Sequence, residues 1–136
     1  MTGYMLDTNM VSYLAKDHPA VIRRVMATPM ASLCMSAVTQ GELLFGLAKR
    51  PEARRLNLAI RELLRRIDVL PWDDTVAGRY GTTRAAMTLR GKVLAPLDML
   101  IAAHALTLGM VLVTNDQAFG QVDGLLIEDW SRDQIS

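Results

Sequence analysis

The sequence predicts an open α/β fold, with helices covering both faces of a parallel sheet, in a single domain spanning residues 1–136. Three observations predict it. Short runs of continuous apolar residues recur along the chain, each too short for a helix. Segments with apolar residues at helical spacing separate them. Capping and breaking residues stand at the junctions. A strand that is apolar throughout has to be buried on both faces, which parallel sheets wrapped by helices achieve. A chain of 136 residues buries one proper core without disulfides or metals to staple it.

Taken in order, Tyr4-Met5-Leu6 is the first strand. It ends at Asp7-Thr8-Asn9, where Asp or Thr can cap a helix running through Ser12 and Leu14. After Asp17-His18-Pro19 a second short helix carries Val21, Ile22, Val25 and Met26 on one side. Leu33-Cys34-Met35 is the next strand, and Ser36 offers an N-cap for a helix toward Lys49. Pro51 suits the first turn of another helix, whose stripe is Leu56, Ile60, Leu63, Leu64 and Ile67, with Arg54, Arg61 and Arg65 away from it. Val69-Leu70 is a brief strand before Pro71, and Asp73 or Asp74 starts a helix reaching about Arg90. Leu97, Leu100, Ile101, His104, Ala105 and Leu108 stripe the following helix, which Gly109 stops. Met110 to Val113 is a buried strand, Asp116 to Phe119 a helical turn, and Leu125 to Ile127 a last short strand.

Composition excludes several classes. With about half the residues apolar and about a fifth charged, the chain is neither disordered nor a membrane bundle. The apolar segment from Val93 to Val113 holds Pro96, Asp98, His104 and Gly109, so it reads as buried core, not a lipid-facing span. No secretory leader is evident, and the lone Cys34 lies in a buried strand; a reducing, cytoplasmic setting is expected, without a catalytic thiol. The net charge of +1 hides an asymmetry. Between Lys49 and Lys92 eleven basic residues face five acids, an excess of six, so the remainder carries −5. Such a split suits one surface that holds phosphates and another that holds cations, although solvated helix faces explain it as well.

The acids acquire meaning from the fold. In open parallel sheets ligands bind beyond the carboxyl ends of the strands. Asp7 directly follows the first strand, and Asp116 comes shortly after the strand ending at Val113. Asp98 opens its helix after the Gly91–Pro96 loop, and Glu42 lies roughly two turns into the helix after the Cys34 strand. Four acids from four segments can therefore converge on one crevice. Three have a plain alternative, Asp7 and Asp98 as helix caps and Asp116 as a turn former, whereas Glu42, in a helix beside Leu43, Leu44 and Phe45, is harder to dismiss. Their combination favours a site. Like charges gathered this way raise one another's pKa, a cost that a divalent cation removes. All-oxygen ligands suit Mg²⁺ or Mn²⁺ and not zinc, and such an ion promotes hydrolysis of a phosphodiester.

Other candidates carry less. His104 shares an apolar stripe and reads as a core residue, while His18 lies in a loop and is expected to be exposed. Met5, Met10, Met26, Met30, Met87 and Met99 read as gap-filling core or interface residues. Glycine-rich phosphate loop, nucleophile elbow and paired-cysteine metal pattern are all missing.

With these residues in view, the sequence resembles the PIN-domain family, and within it the VapC-type toxins of bacterial toxin–antitoxin pairs. The matching pieces are Met5-Leu6-Asp7-Thr8-Asn9, Met35 through Leu43 with Glu42, Pro96 through Ala105 with Asp98, and Leu112-Val113-Thr114-Asn115-Asp116. The ending from Val122 to Leu125 and Glu128-Asp129-Trp130 fits too. The resemblance implies a three-layer α/β/α sandwich and Mg²⁺- or Mn²⁺-dependent endoribonuclease activity with 5′-phosphate products. It implies a metal site on Asp7, Glu42, Asp98 and Asp116, with Thr114 as an accessory polar residue. It further implies a homodimer silenced by a VapB-like antitoxin, and structured RNA, tRNA first, as substrate. Arg54, Arg61, Arg65, Arg84, Arg90 and Lys92 are the candidate RNA contacts. Two other readings compete. A non-catalytic RNA- or protein-binding module of the same fold would bind RNA without cutting it. A phosphatase with Asp7 as nucleophile would want a second acid where Asn9 stands.

Overall fold

A computed structural model describes residues 2–132. Its five strands, β1 (Tyr4–Leu6), β2 (Leu33–Ser36), β3 (Asp68–Leu70), β4 (Val111–Val113) and β5 (Ile127–Glu128), form one sheet in the order β3-β2-β1-β4-β5. Every pairing is parallel, with Met5 beside Cys34 on one side and Leu112 on the other. The chain walks outward from β1 to β3, then crosses back to place β4 on the opposite side of β1. This reversal leaves a crevice beyond the carboxyl ends of β1 and β4, the usual place for a ligand in an open sheet.

The helices are α1 (Thr8–Ala15), α2 (Pro19–Met26), α3 (Ala37–Lys49), α4 (Arg54–Arg66), α5 (Asp74–Leu89) and α6 (Pro96–Leu108). Because side chains alternate along a strand, each strand feeds two cores. Leu6, Leu33, Met35 and Val113 pack with Met10 and Val11 of α1, Val21 of α2, Leu43 and Leu47 of α3 and Ile60 of α4. Met5, Cys34 and Leu112 pack on the other side with Met87 of α5 and Met99, Ile101, Ala102 and Ala105 of α6. The predicted three-layer α/β/α sandwich is thus the observed one. Helix α6 is buried from Ile101 to Ala105, as an almost wholly apolar sequence requires. Gly109, at φ 63°, closes it in the left-handed conformation that glycine adopts without strain.

Local differences have local causes. Helix α4 starts at Arg54, because Pro51 sits in a turn in which the Ala53 N–H bonds to the Arg50 carbonyl. Ile67 follows the helix as its extended cap and still reaches the core. The last strand starts at Ile127, since a turn with Gly124 at φ 83° occupies the preceding residues. Met26 and Met30 are exposed, whereas Met5, Met10, Met87 and Met99 are buried. His18 is half-buried and caps α2 through its Nδ1, against the expectation of an exposed loop residue. Among the described residues no helix is long and apolar enough to cross a membrane.

Candidate active site

The loop after β1 puts Asp7 at the mouth of the crevice. Its backbone N–H continues the sheet by bonding to the Val113 carbonyl at 3.0 Å, and its Oδ1 caps α1 by accepting the Met10 N–H at 2.9 Å. The cap reading is therefore correct for this residue, and it leaves the carboxylate among its acidic neighbours: one oxygen starts the helix, while the charges of Asp98 and Asp116 still act on the group. Asp7 is only 5% exposed. Burial pushes its carboxyl up to about 6, against hydrogen bonds from the Thr114 hydroxyl and the Met10 N–H, and the charges of Asp98 and Asp116 push the same way as burial.

Asp98 reaches the crevice from the first turn of α6, which Pro96 opens. Burial raises its pKa, and the neighbouring charges of Asp116 and Glu42 raise it further. Glu42 projects from α3, where its Oε1 accepts a short 2.6 Å hydrogen bond from the Thr8 hydroxyl. Asp116, more exposed, caps the 3₁₀ turn Gln117–Gln121 by accepting the Ala118 N–H at 2.9 Å. Its own N–H donates to the Thr114 hydroxyl at 3.0 Å. Thr114 is buried and joins Asp7 to the Asp116 backbone through that single hydroxyl.

The structure thus brings together all four predicted acids and Thr114, graded from buried Asp7 to exposed Asp116. Among the described residues they do not stand as a ready-made cage of three or more metal ligands. Glu42 is turned to Thr8, and Asp7 and Asp116 each give an oxygen to a helix start. Their chemistry nevertheless fits a hard divalent ion. The donors are carboxylates only, and Asp7 and Asp98 bear an electrostatic cost from the others that a cation would lift.

The candidate RNA contacts fall into two groups. Arg54, Arg61 and Arg65 are exposed on α4, with Arg65 beside Glu62 at 3.6 Å. Arg84 lies along Tyr80 on α5, Arg90 is paired with Asp123, and half-buried Lys92 lines a hollow of about 400 Å³ with Arg84 and Met99. His104 is a core residue, as read: its Nδ1 meets the Ser36 Oγ at 2.8 Å, and burial lowers its pKa against the pull of Asp73. The Cys34 thiol is pushed up to about 11 by burial and Asp68, which leaves it unsuited to nucleophilic work. Sequence reasoning missed the Thr8–Glu42 bond, since 34 positions separate the two residues.

A family model of the PIN domain matches residues 4–125, most of the chain. This chain belongs to the PIN-domain family. A Shigella flexneri protein named tRNA(fMet)-specific endonuclease VapC is 39% identical over 133 residues, 96% of this chain and all of that one. The Ribonuclease VapC2 of Haemophilus influenzae is 34% identical over 96% of this chain and 99% of its own. In three dimensions the PIN-domain chain matches DNA-bound VapBC from Salmonella typhimurium with a TM-score of 0.87 and 34% identity, covering 96% of this chain and 99% of the other. The PIN-domain chain is accordingly a ribonuclease of the VapC type, as its four motifs led one to expect.

Proposed function

We propose that this ribonuclease is the toxin of a toxin–antitoxin pair and cuts tRNA in the cytoplasm, with Mg²⁺ or Mn²⁺ held by Asp7, Glu42, Asp98 and Asp116. The observation that carries the reading is the arrival of four carboxylates from four elements at the switch point of the sheet, with Asp7 and Asp98 each perturbed by the charges of the others. The tRNA assignment is supported by likeness to the Shigella protein, which bears that specificity in its name.

When bound, the divalent ion would supply positive charge for the phosphodiester and lower the pKa of water. The chain's own residues do the rest. Asp7, Glu42 and Asp98 would hold the ion, with Asp116 completing the set. Thr114 keeps the Asp7 carboxylate oriented through its hydroxyl and fixes the Asp116 backbone. Cations between Lys49 and Lys92 seat the RNA backbone. A VapB-like partner silences the enzyme, and the active form is a homodimer; the similarity to the Salmonella VapBC structure supports the pairing with such a partner.

The test is cleavage of initiator tRNA with added Mn²⁺ and mapping of the new ends. Wild type should cut, and Asp7→Asn should lose cleavage by at least a hundredfold with an unchanged circular dichroism spectrum. Equal rates from the two proteins would defeat the proposal. RNA binding without any cutting would instead favour the non-catalytic module.

A further inference from the structure

Helix α1 already has its N-cap in Asp7, so the Thr8 hydroxyl is not needed to start it. Threonine is also a mediocre helix former, and its hydroxyl usually bonds the local backbone. Here it reaches out of its helix instead, donating to the Glu42 Oε1 at 2.6 Å, a short hydroxyl–carboxylate bond. The two residues belong to different elements, α1 and α3, and both are partly buried, so the bond is shielded from competing water.

The consequence is geometric. Thr8 is covalently next to Asp7, whose backbone is pinned to β4 and whose side chain is pinned to Met10. Glu42, by contrast, hangs half-buried on three rotatable side-chain bonds from α3. The Thr8 hydroxyl transfers the rigidity of the β1–α1 junction to the Glu42 carboxylate and occupies one lone pair of Oε1. A second threonine, Thr114, does the same for Asp7. Each of the two acids on the β1 side of the crevice thus has a hydroxyl of its own.

We propose that Thr8 is a positioning residue for the metal site. It tethers the Glu42 carboxylate to the residue next to Asp7, so that less side-chain freedom is lost when the cation binds. The inference rests on the metal-dependent reading above. Groups that orient a metal ligand in this way change metal affinity by about 10–100-fold when removed.

The experiment compares the full-length wild type with Thr8→Val, which keeps shape and loses the hydroxyl, and Thr8→Ser, which restores it. The first readout needs no RNA: thermal unfolding is followed as Mn²⁺ is titrated, giving the concentration at half-maximal stabilisation. The second is cleavage of RNA at varied Mn²⁺, separating kcat from KM. Thr8→Val should need about tenfold more Mn²⁺ in both assays, with KM for RNA unchanged, and Thr8→Ser should stay within about twofold of wild type. A wild-type Mn²⁺ midpoint for Thr8→Val overturns the proposal. So does a Thr8→Ser midpoint displaced as far as that of valine, which would mean that the methyl group and packing matter instead. If valine does not fold, Thr8→Ala and Thr8→Ser are compared by the same criteria. A wild type that neither cuts RNA nor responds to Mn²⁺ brings down the metal reading itself, a result distinct from either of these.

Discussion

At the scale of single residues, Asp7 bears two loads that conflict. As a cap it contributes about 1 kcal/mol to α1, but as a buried carboxylate among other acids it costs stability whenever it is ionised. The sign follows from its pKa, about 6 when folded against an ordinary value of 3.8. The folded protein holds the proton more tightly than the unfolded chain does. Stability from this group is therefore greatest below pH 4 and is lost as pH rises through 6. With divalent ions chelated, Asp7→Asn keeps the capping oxygen and removes the charge. It should raise stability at pH 7.5 by up to about 3 kcal/mol, and the gain should vanish near pH 4. Urea unfolding at several pH values measures this, and Mn²⁺ should narrow the gap by stabilising only the wild type. The presence of Asp7 after a strand was legible in the sequence. That gathered like charges would raise its pKa was legible too, but the depth of its burial, the largest cause, and the opposing Thr114 bond were not, because Thr114, Asp98 and Asp116 are more than 90 positions away.

At the scale of elements, the junction of β2 and α3 carries Glu42. Ser36 ends the strand, caps the helix by accepting the Val38 N–H at 3.1 Å in a part-buried bond, and meets His104 of α6 at 2.8 Å in full burial. Ser36→Ala removes a cap and leaves the buried His104 Nδ1 without its partner. It should cost about 2–3 kcal/mol, seen as a lower urea midpoint with an unchanged slope. The cap was readable from Ser36 preceding an apolar helical pattern, and His104 was readable as core from its stripe. That the two meet was not readable, since it depends on how α6 packs on the face of the sheet. Helix α4 shows the reverse failure. Proline at 51 fits a helix start on local grounds, yet the turn before Arg54 takes it, and the helix begins later.

At the scale of the whole molecule, the charge asymmetry becomes a surface with two parts, α4 and the end of α5. Arg65 and Arg90 have acidic partners, whereas Lys92 has no ion pair among the described residues and stands beside Arg84 at a hollow near the start of α6. RNA affinity of a cleavage-dead Asp7→Asn protein should fall linearly on a log–log plot against salt. Lys92→Ala should lower that slope by about 0.7–0.9, and Arg65→Ala by less, as measured by fluorescence anisotropy. How α5 packs on α6 decided which basic residues share the hollow at the start of α6, and no local pattern encodes that packing.

By itself the sequence determined the layers of the fold and the identity of the four acids. Apolar runs state burial on both faces, and a residue that follows a buried parallel strand has to emerge at the sheet's edge. Only the tertiary structure decided how those acids are held: Asp7 beneath Thr114, Glu42 against Thr8, and Asp98 between its two acidic neighbours. The physical reason is range. Strand and helix follow from neighbours within a few positions, whereas hydrogen bonds and charges between side chains depend on distances that exist only after β1 and β4 lie side by side.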